Sequence, residues 1–498
     1  MSTNKKSLTS RTISGFLWLL SSSGAQSILQ LIVTAILARI LVPEDFGVVA
    51  AAMVVILFTE MLYEMGIGPA LVQMKEISDS DINTSFTFSV MLGILLAVIF
   101  YLINPFIAIF FDMPALTAAL NVLVWIFPLR TISQISYSLL QRDMLFKKMA
   151  GLDLLSYAVG YGGVGISLAY FGYGLWSLIW ANFVQAFLYS ILLLIVNPRK
   201  IRLQLKLNVL KKLLRYGLGV TISQLFNFLA RKVDYIVIGK VIDSYSLGIY
   251  SKAFALMNAP NVVAGKVMSK VMFVSYAKIQ DSEERIARAL DKSYSLLFLV
   301  SLPLSGISIV MAPEIINILL GPKWTEAVIP FQILVAFMFC RVGYKIGGTL
   351  LKSLGKVYLL SITQFIYFII VLVGSYLGAQ YGIEGVAVGV SIAILANFMM
   401  LAFYTVYLTK FSLISFLTGL LRSFVITSVI IISTHFLSEY LRSMLISTII
   451  TLSVSIILTM LIGAAIIISG SRIVLGDNGL WLRSKLIEGL SKIMVKLR

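Results

Sequence analysis

The chain has 498 residues, 59% of them hydrophobic and 12% charged, with a mean hydropathy of +0.96. Soluble globular domains carry about 25% charged residues, so that class is excluded, and the single cysteine, Cys340, excludes a secreted disulfide scaffold. The 40 Lys and Arg against 22 Asp and Glu give a formal +18, which with this hydrophobicity points to a polytopic membrane protein and not to a nucleic-acid binder.

A spanning helix needs about 20 mostly apolar residues. In chain order such runs lie near 14–41, 46–67, 83–111, 116–140, 149–170, 173–196, 213–239, 247–275, 293–319, 327–351, 357–378, 383–409, 416–436 and 444–469. They are continuous and not alternating, so an all-α fold of about fourteen transmembrane helices is expected in place of a β-barrel. Lys5, Lys6 and Arg11 precede the first run as in a signal peptide. Signal h-regions are about 7–15 residues long, however, and the first run is nearly twice that, so it reads as an uncleaved helix.

Fourteen spans and a cytoplasmic N-terminus place 27 basic residues in inside segments and only Lys240, Lys323 and Arg442 in outside loops. That asymmetry is the positive-inside pattern, so both termini are expected in the cytoplasm. Ten cations remain within or beside spans: Arg39, Arg130, Arg231, Lys232, Lys252, Lys266, Lys270, Arg341, Lys345 and Arg422. The acidic counterparts are Glu60, Glu64, Asp153 and Asp234. Snorkelling toward span ends suits Arg39, Lys252, Lys345 and Arg422. Arg130, Arg231, Arg341 and Lys266 fall deeper, where a cation costs about 2.5–3.5 kcal/mol, and they suit a water-filled cavity.

A shift of 201 residues superimposes the first run on the seventh: Ser22 on Ser223, Gln26 on Asn227, Gln30 on Arg231 and Gly47 on Gly248. At 208 Pro105 meets Pro313, at 210 Gly172 meets Gly382, and at 211 Arg130 meets Arg341. Polar positions aligned in order are not expected from shared hydrophobicity. The chain reads as two six-helix lobes, 1–205 and 206–410, two further helices over 411–470, and a basic amphipathic tail over 471–498 that suits the inner leaflet. Repeated lobes of this kind are a transporter signature. Gln26, Gln30, Asn227 and Arg231 lie four apart within their helices and form one polar stripe in each, suited to a cavity or to helix–helix hydrogen bonds. Glu60 and Glu64 in the second run, and Lys266 and Lys270 in the eighth, sit at nearly the same depth and suggest a gate that zips and parts.

No P-loop or dinucleotide motif stands in a plausible context. His435, the only histidine, and Cys340 offer nothing for a metal site or a catalytic dyad. No catalytic residue, metal or cofactor is therefore expected.

The stretch Leu37-Ala38-Arg39-Ile40-Leu41-Val42-Pro43-Glu44-Asp45-Phe46-Gly47, with Gly66-Ile67-Gly68-Pro69-Ala70-Leu71-Val72-Gln73, resembles the opening of bacterial polysaccharide exporters of the colanic-acid and teichuronic-acid type. These belong to the multidrug/oligosaccharidyl-lipid/polysaccharide exporter superfamily. Gly172-Tyr173-Gly174-Leu175-Trp176-Ser177-Leu178 and Gly321-Pro322-Lys323-Trp324 extend the resemblance over nearly the whole chain. It implies two V-shaped lobes, as in multidrug exporters and the lipid II flippase, around a cationic cavity. The implied cargo is an oligosaccharide repeat unit on undecaprenyl pyrophosphate, flipped by alternating access across the plasma membrane. Arg231, Lys266 and Lys270 would meet the pyrophosphate, the polar stripe and the deep cations Arg130 and Arg341 would line the cavity, and the last two helices would groove the lipid tail. The partners so implied are the lipid-linked sugar, membrane lipids and the polymerase machinery, with the protein a monomer. A proton or sodium gradient as driving force stays open. The rivals are an ion-coupled small-molecule antiporter of the same superfamily and a membrane polymerase of the same pathway.

Overall fold

The computed structural model describes residues 24, 26–64, 67–74, 76–198, 202–471, 476–481, 483–484 and 487–488, and is helical throughout, with no strand among them. The helices are α1 (Gln26–Ile40), α2 (Pro43–Glu64), α3 (Ile67–Gln73), α4 (Asp79–Phe111), α5 (Pro114–Leu123), α6 (Ile126–Arg142), α7 (Phe146–Tyr157), α8 (Ile166–Tyr170) and α9 (Leu175–Val196). They continue with α10 (Leu207–Val241), α11 (Ser244–Lys278), α12 (Glu283–Val310), α13 (Ala312–Leu319), α14 (Val328–Ala336), α15 (Met338–Ser353), α16 (Val357–Gly378), α17 (Gly382–Leu408), α18 (Leu413–Ser443) and α19 (Thr448–Ser469).

Ten helical segments among the described residues are long and apolar enough to cross a membrane, so the protein is multi-pass, but the expected count of fourteen is not reproduced. The difference has three sources. α16 and α17 join through a short turn at Ala379–Tyr381 into one segment, Val357–Leu408. α10 and α11, at 35 residues each, are not among the ten. Part of the first run, with Lys5, Lys6 and Arg11, lies outside the described residues.

The helices start and stop where the chain supplies the chemistry. Ser78 caps α4, accepting from the Asp81 N–H at 3.2 Å while the Asp81 carboxylate takes the Ser78 N–H at 2.9 Å, a reciprocal pair that satisfies two orphan donors. Gly172 and Gly174 turn the chain into α9 with φ of 83° and 50°, and Gly382, the repeat partner of Gly172, starts α17 with φ of 72°. Buried hydroxyls bond back along their own helices: Thr59 to Val55, Ser301 to Leu297 and Thr434 to Ile430, at 2.6–2.9 Å. Phe106, Ile195, Phe403 and Phe436 are among the large apolar side chains left exposed, as lipid-facing surfaces require.

By internal packing the chain divides into two compact units, residues 1–251 with 371–386, and 252–370 with 387–498. In the first, α2 packs on α4, α5, α9 and α10, and α6 lies between α4 and α9. The extended linker after α9 docks on the start of α4, where alternate N–H groups of Arg202, Gln204 and Lys206 donate to Asn83, Thr87 and Thr84 at 3.0–3.3 Å. In the second, α12 packs on α14, α15 and α18, and α18 on α19. Its core is a cluster of buried rings, Tyr294, Phe298, Phe398, Phe411 and Phe416, with centroids 5.2–6.4 Å apart.

Within the first unit, α2 and α11 cross at Gly47 and Gly248, which the 201-residue shift equates. A Cβ on Gly47 would overlap the Ser244 carbonyl, and one on Gly248 the Pro43 carbonyl, and these two are also repeat partners. The crossing is thus built twice from one motif, and only glycine permits it. Overpacking a tight site costs about 1–3 kcal/mol, and here the obstacle is backbone. Gly47→Val is expected to lower the melting temperature of the purified protein by several degrees, whereas Gly151→Ala, whose Cβ meets nothing within 4 Å, leaves it unchanged.

Candidate functional site

Pro128 has no N–H to offer the carbonyl of Val124, and the chain breaks between α5 and α6 at this point. The break sets Arg130 in the first turn of α6 against α2. Its Nη1 donates to Glu60 Oε1 at 2.5 Å, and the guanidinium also engages the Tyr63 hydroxyl. Glu60 and Arg130 keep 26% and 31% of their side chains exposed, because they border a cavity of about 250 Å³ inside the first unit. Its other polar walls are Glu64 from α2, Ser133, Gln134 and Tyr137 from α6, Asp153 from α7, and Gln185 and Tyr189 from α9. Gln26 of α1 donates through Nε2 to Asp153 Oδ2 at 2.7 Å. At membrane depth such a set of side chains needs water or a polar ligand.

The second unit repeats the arrangement with different chemistry. α14 and α15 break at Phe337 as α5 and α6 do, and α15 ends at Ser353, which the 211-residue shift equates with the end of α6 at Arg142. Arg341 is buried, lies 4.7 Å from the Phe254 ring, and donates through Nε to Asn258 Oδ1 at 3.0 Å. Asn258 in turn accepts from Asn261 Nδ2 at 2.8 Å, and Lys345 Nζ donates to the Asn261 carbonyl at 3.3 Å. The 201-residue shift places Asn261 on Glu60 and Asn258, the side chain that receives Arg341, on Leu57, so the guanidinium meets a carboxylate in one unit and an amide one turn away in the other.

The structure therefore brings Gln26, Glu60, Glu64 and Arg130 around one cavity, and sets Arg341 apart in the second unit. Gln30 and Arg231 are exposed on α1 and α10. Asp234, just beyond Arg231, is buried and accepts from the Tyr250 hydroxyl at 2.9 Å. The side chains of Asn227, Lys266 and Lys270 lie outside those described, so the proposed gate pairing has no geometry here. Sequence reasoning missed the partnership of Glu60 with Arg130 and the approach of Asp153 and Gln26. Their signal was only that opposite charges and amides occur at membrane depth in different helices.

A smaller cavity, about 110 Å³, lies where the tail meets α12 and α18. Asn478 Nδ2 donates to Asp291 Oδ2 at 2.6 Å and to Ser295 Oγ at 3.1 Å, Ser415 also donates to Asp291, and Lys292 Nζ sits 3.1 Å above the Trp481 ring. Leu480 packs on the Ile426–Ile430 cluster. The described start of the tail is thus held by the second unit's own side chains.

Residues 36–329 match the family described as "Polysaccharide biosynthesis protein". The chain belongs to that family. It is 23% identical to the teichuronic acid biosynthesis protein TuaB of Bacillus subtilis, over 85% of this chain and 88% of that one. It is 24% identical to the lipopolysaccharide biosynthesis protein WzxC of Escherichia coli, over 70% and 71% of the two chains. The fold is that of the lipid II flippase MurJ in an inward closed conformation, with a TM-score of 0.76 at 17% identity, covering 90% of this chain and 98% of that one. A chain of the polysaccharide biosynthesis family thus shares the helical fold of that structure, with charged side chains retained inside it.

Because the Glu60–Arg130 pair is partly wetted, removing one partner should cost less than the 3–5 kcal/mol of a fully buried pair. Glu60→Gln is expected to destabilise the detergent-purified protein by about 1–3 kcal/mol, and Glu60→Gln with Arg130→Gln by less than the sum. Denaturation of the four species of that cycle measures the coupling.

Proposed function

We infer that the chain is a flippase that carries undecaprenyl-pyrophosphate-linked oligosaccharide repeat units across the plasma membrane by alternating access, for extracellular polysaccharide assembly. The observation that carries this reading is a cavity of charged and hydroxyl-bearing side chains inside a helical unit with apolar outer faces, in a chain of the polysaccharide biosynthesis family. A cargo with a large polar head and a lipid tail needs both surfaces. Family membership supports a carrier over an enzyme, and by the positive-inside pattern both termini are placed in the cytoplasm. In this reading Arg231, Lys266, Lys270 and Arg341 meet the pyrophosphate through charge-assisted hydrogen bonds, while Arg130, Gln26, Gln30 and Asn227 face the glycan. Glu60 and Glu64, with Lys266 and Lys270, open and close the path.

Only a ligand that binds the two orientations differently can shift them, so loss of a phosphate contact slows the cycle. In proteoliposomes, protection of lipid-linked disaccharide from an external glycosidase reports flipping. The wild type is expected to equilibrate the lipid between leaflets. Arg231→Ala and Lys266→Ala are each expected to slow it about tenfold or more, the worth of one hydrogen bond to a charged group. Undiminished flipping by both variants would remove the phosphate site. The acidic balance of the first cavity, three carboxylates to one arginine, favours a second reading, export of cationic small molecules. Uptake of ethidium by the same vesicles, without movement of the lipid, would establish it.

A further inference from the structure

The first unit's cavity is the wrong electrostatic shape for a pyrophosphate and the right one for a sugar. Glu60, Glu64 and Asp153 face it against the single guanidinium of Arg130, which is already held by Glu60 at 2.5 Å. Three carboxylates repel a phosphate at short range in a medium of low dielectric constant. A bare cation would need acceptors alone, yet the walls also present donors: the Arg130 guanidinium, the amides of Gln134 and Gln185, and the hydroxyls of Tyr137 and Tyr189. Among the described residues no three acidic, histidine or cysteine side chains converge closely enough to hold a metal ion. Donors and acceptors mixed around one space match a ligand that offers both at every position, which is the pattern of a polyol ring. The rings of Tyr137 and Tyr189 add apolar surface for the ring's C–H faces. At about 250 Å³ the cavity has room for a single sugar ring.

We propose that this cavity is a monosaccharide subsite that accepts a neutral or amine-bearing sugar of the cargo and rejects one bearing a carboxylate. The proposal rests on the flippase reading and adds cargo selection to it. The uncompensated acidic side chains, Glu64 and Asp153, carry the selection. They accept hydrogen bonds from sugar hydroxyls, and they repel a uronate. Arg130 is positioned by Glu60 to donate into the space and is not available to neutralise a second anion.

The test measures binding of three lipids to the full-length protein in nanodiscs: undecaprenyl pyrophosphate alone, the same lipid bearing N-acetylglucosamine–glucose, and the same lipid bearing N-acetylglucosamine–glucuronic acid. The wild type is expected to bind the glucose form about tenfold or more tightly than the glucuronate form. In Glu64→Gln and in Asp153→Asn that ratio is expected to fall to within about threefold, because each removes one repelling charge while keeping the shape. Equal binding of the two sugars by the wild type, or a ratio that neither substitution moves, would overturn the subsite while leaving the flippase reading intact. Failure to bind any of the three lipids would instead overturn the flippase reading, and the subsite with it.

Discussion

Hydrocarbon offers no hydrogen bonds, so every polar group carried to membrane depth must be answered by another part of the chain or by water. The rest of this structure follows from how that requirement is met. Many hydroxyls are answered locally, by the carbonyl one turn back, as at Thr59 in α2, Ser301 in α12 and Thr427 in α18. Charged side chains cannot be answered locally, so they fix which helices meet. Arg130 holds α6 to α2 through Glu60, and Arg442 clamps the end of α18 to α13 through two hydrogen bonds to Glu314, at 2.8 and 2.9 Å. Arg142 closes the end of α3 by donating to the carbonyls of Leu71 and Val72 at 3.0 and 3.4 Å and to that of Met74. Ion pairs of this kind return little net stability after desolvation. What they supply is register.

The same constraint explains how much could be read from the sequence. Long apolar runs announce membrane helices because nothing else satisfies a backbone in lipid, and each described run is helical. The repeat was legible as aligned polar positions, and Gly47 with Gly248, and Arg130 with Arg341, show why those positions align: each occupies a corresponding place on a corresponding helix. The number of spans was less legible. Hydropathy cannot tell a turn such as Ala379–Tyr381 from a loop, nor decide how apolar a helix such as α10 must be when charged side chains interrupt it.

The site was legible as a list of residues and not as an arrangement. Glu60, Glu64, Asp153 and Arg130 all stand out as charges within apolar runs. Which of them meet depends on helix rotation and on the break at Pro128, which turns the start of α6. Neither has a signature in periodicity, since a single charge on an otherwise apolar helix leaves the facing direction undetermined. Depth alone suggested a pairing of Glu60 and Glu64 with Lys266 and Lys270, whose side chains lie outside those described, and did not suggest the bond from Arg130 to Glu60.

The helix break and the arginine recur in both units, at positions that the 211-residue shift equates, but the group that receives the arginine differs. In the first unit the receiver is Glu60, which cancels the guanidinium charge and leaves the neighbouring Glu64 and Asp153 to set the sign of the cavity. In the second it is Asn258, which accepts from the Arg341 Nε and is itself supported by Asn261. The helix break and the arginine thus fix where a receiver is needed, to within about one turn of the facing helix, and either a carboxylate at Glu60 or an amide at Asn258 fills it.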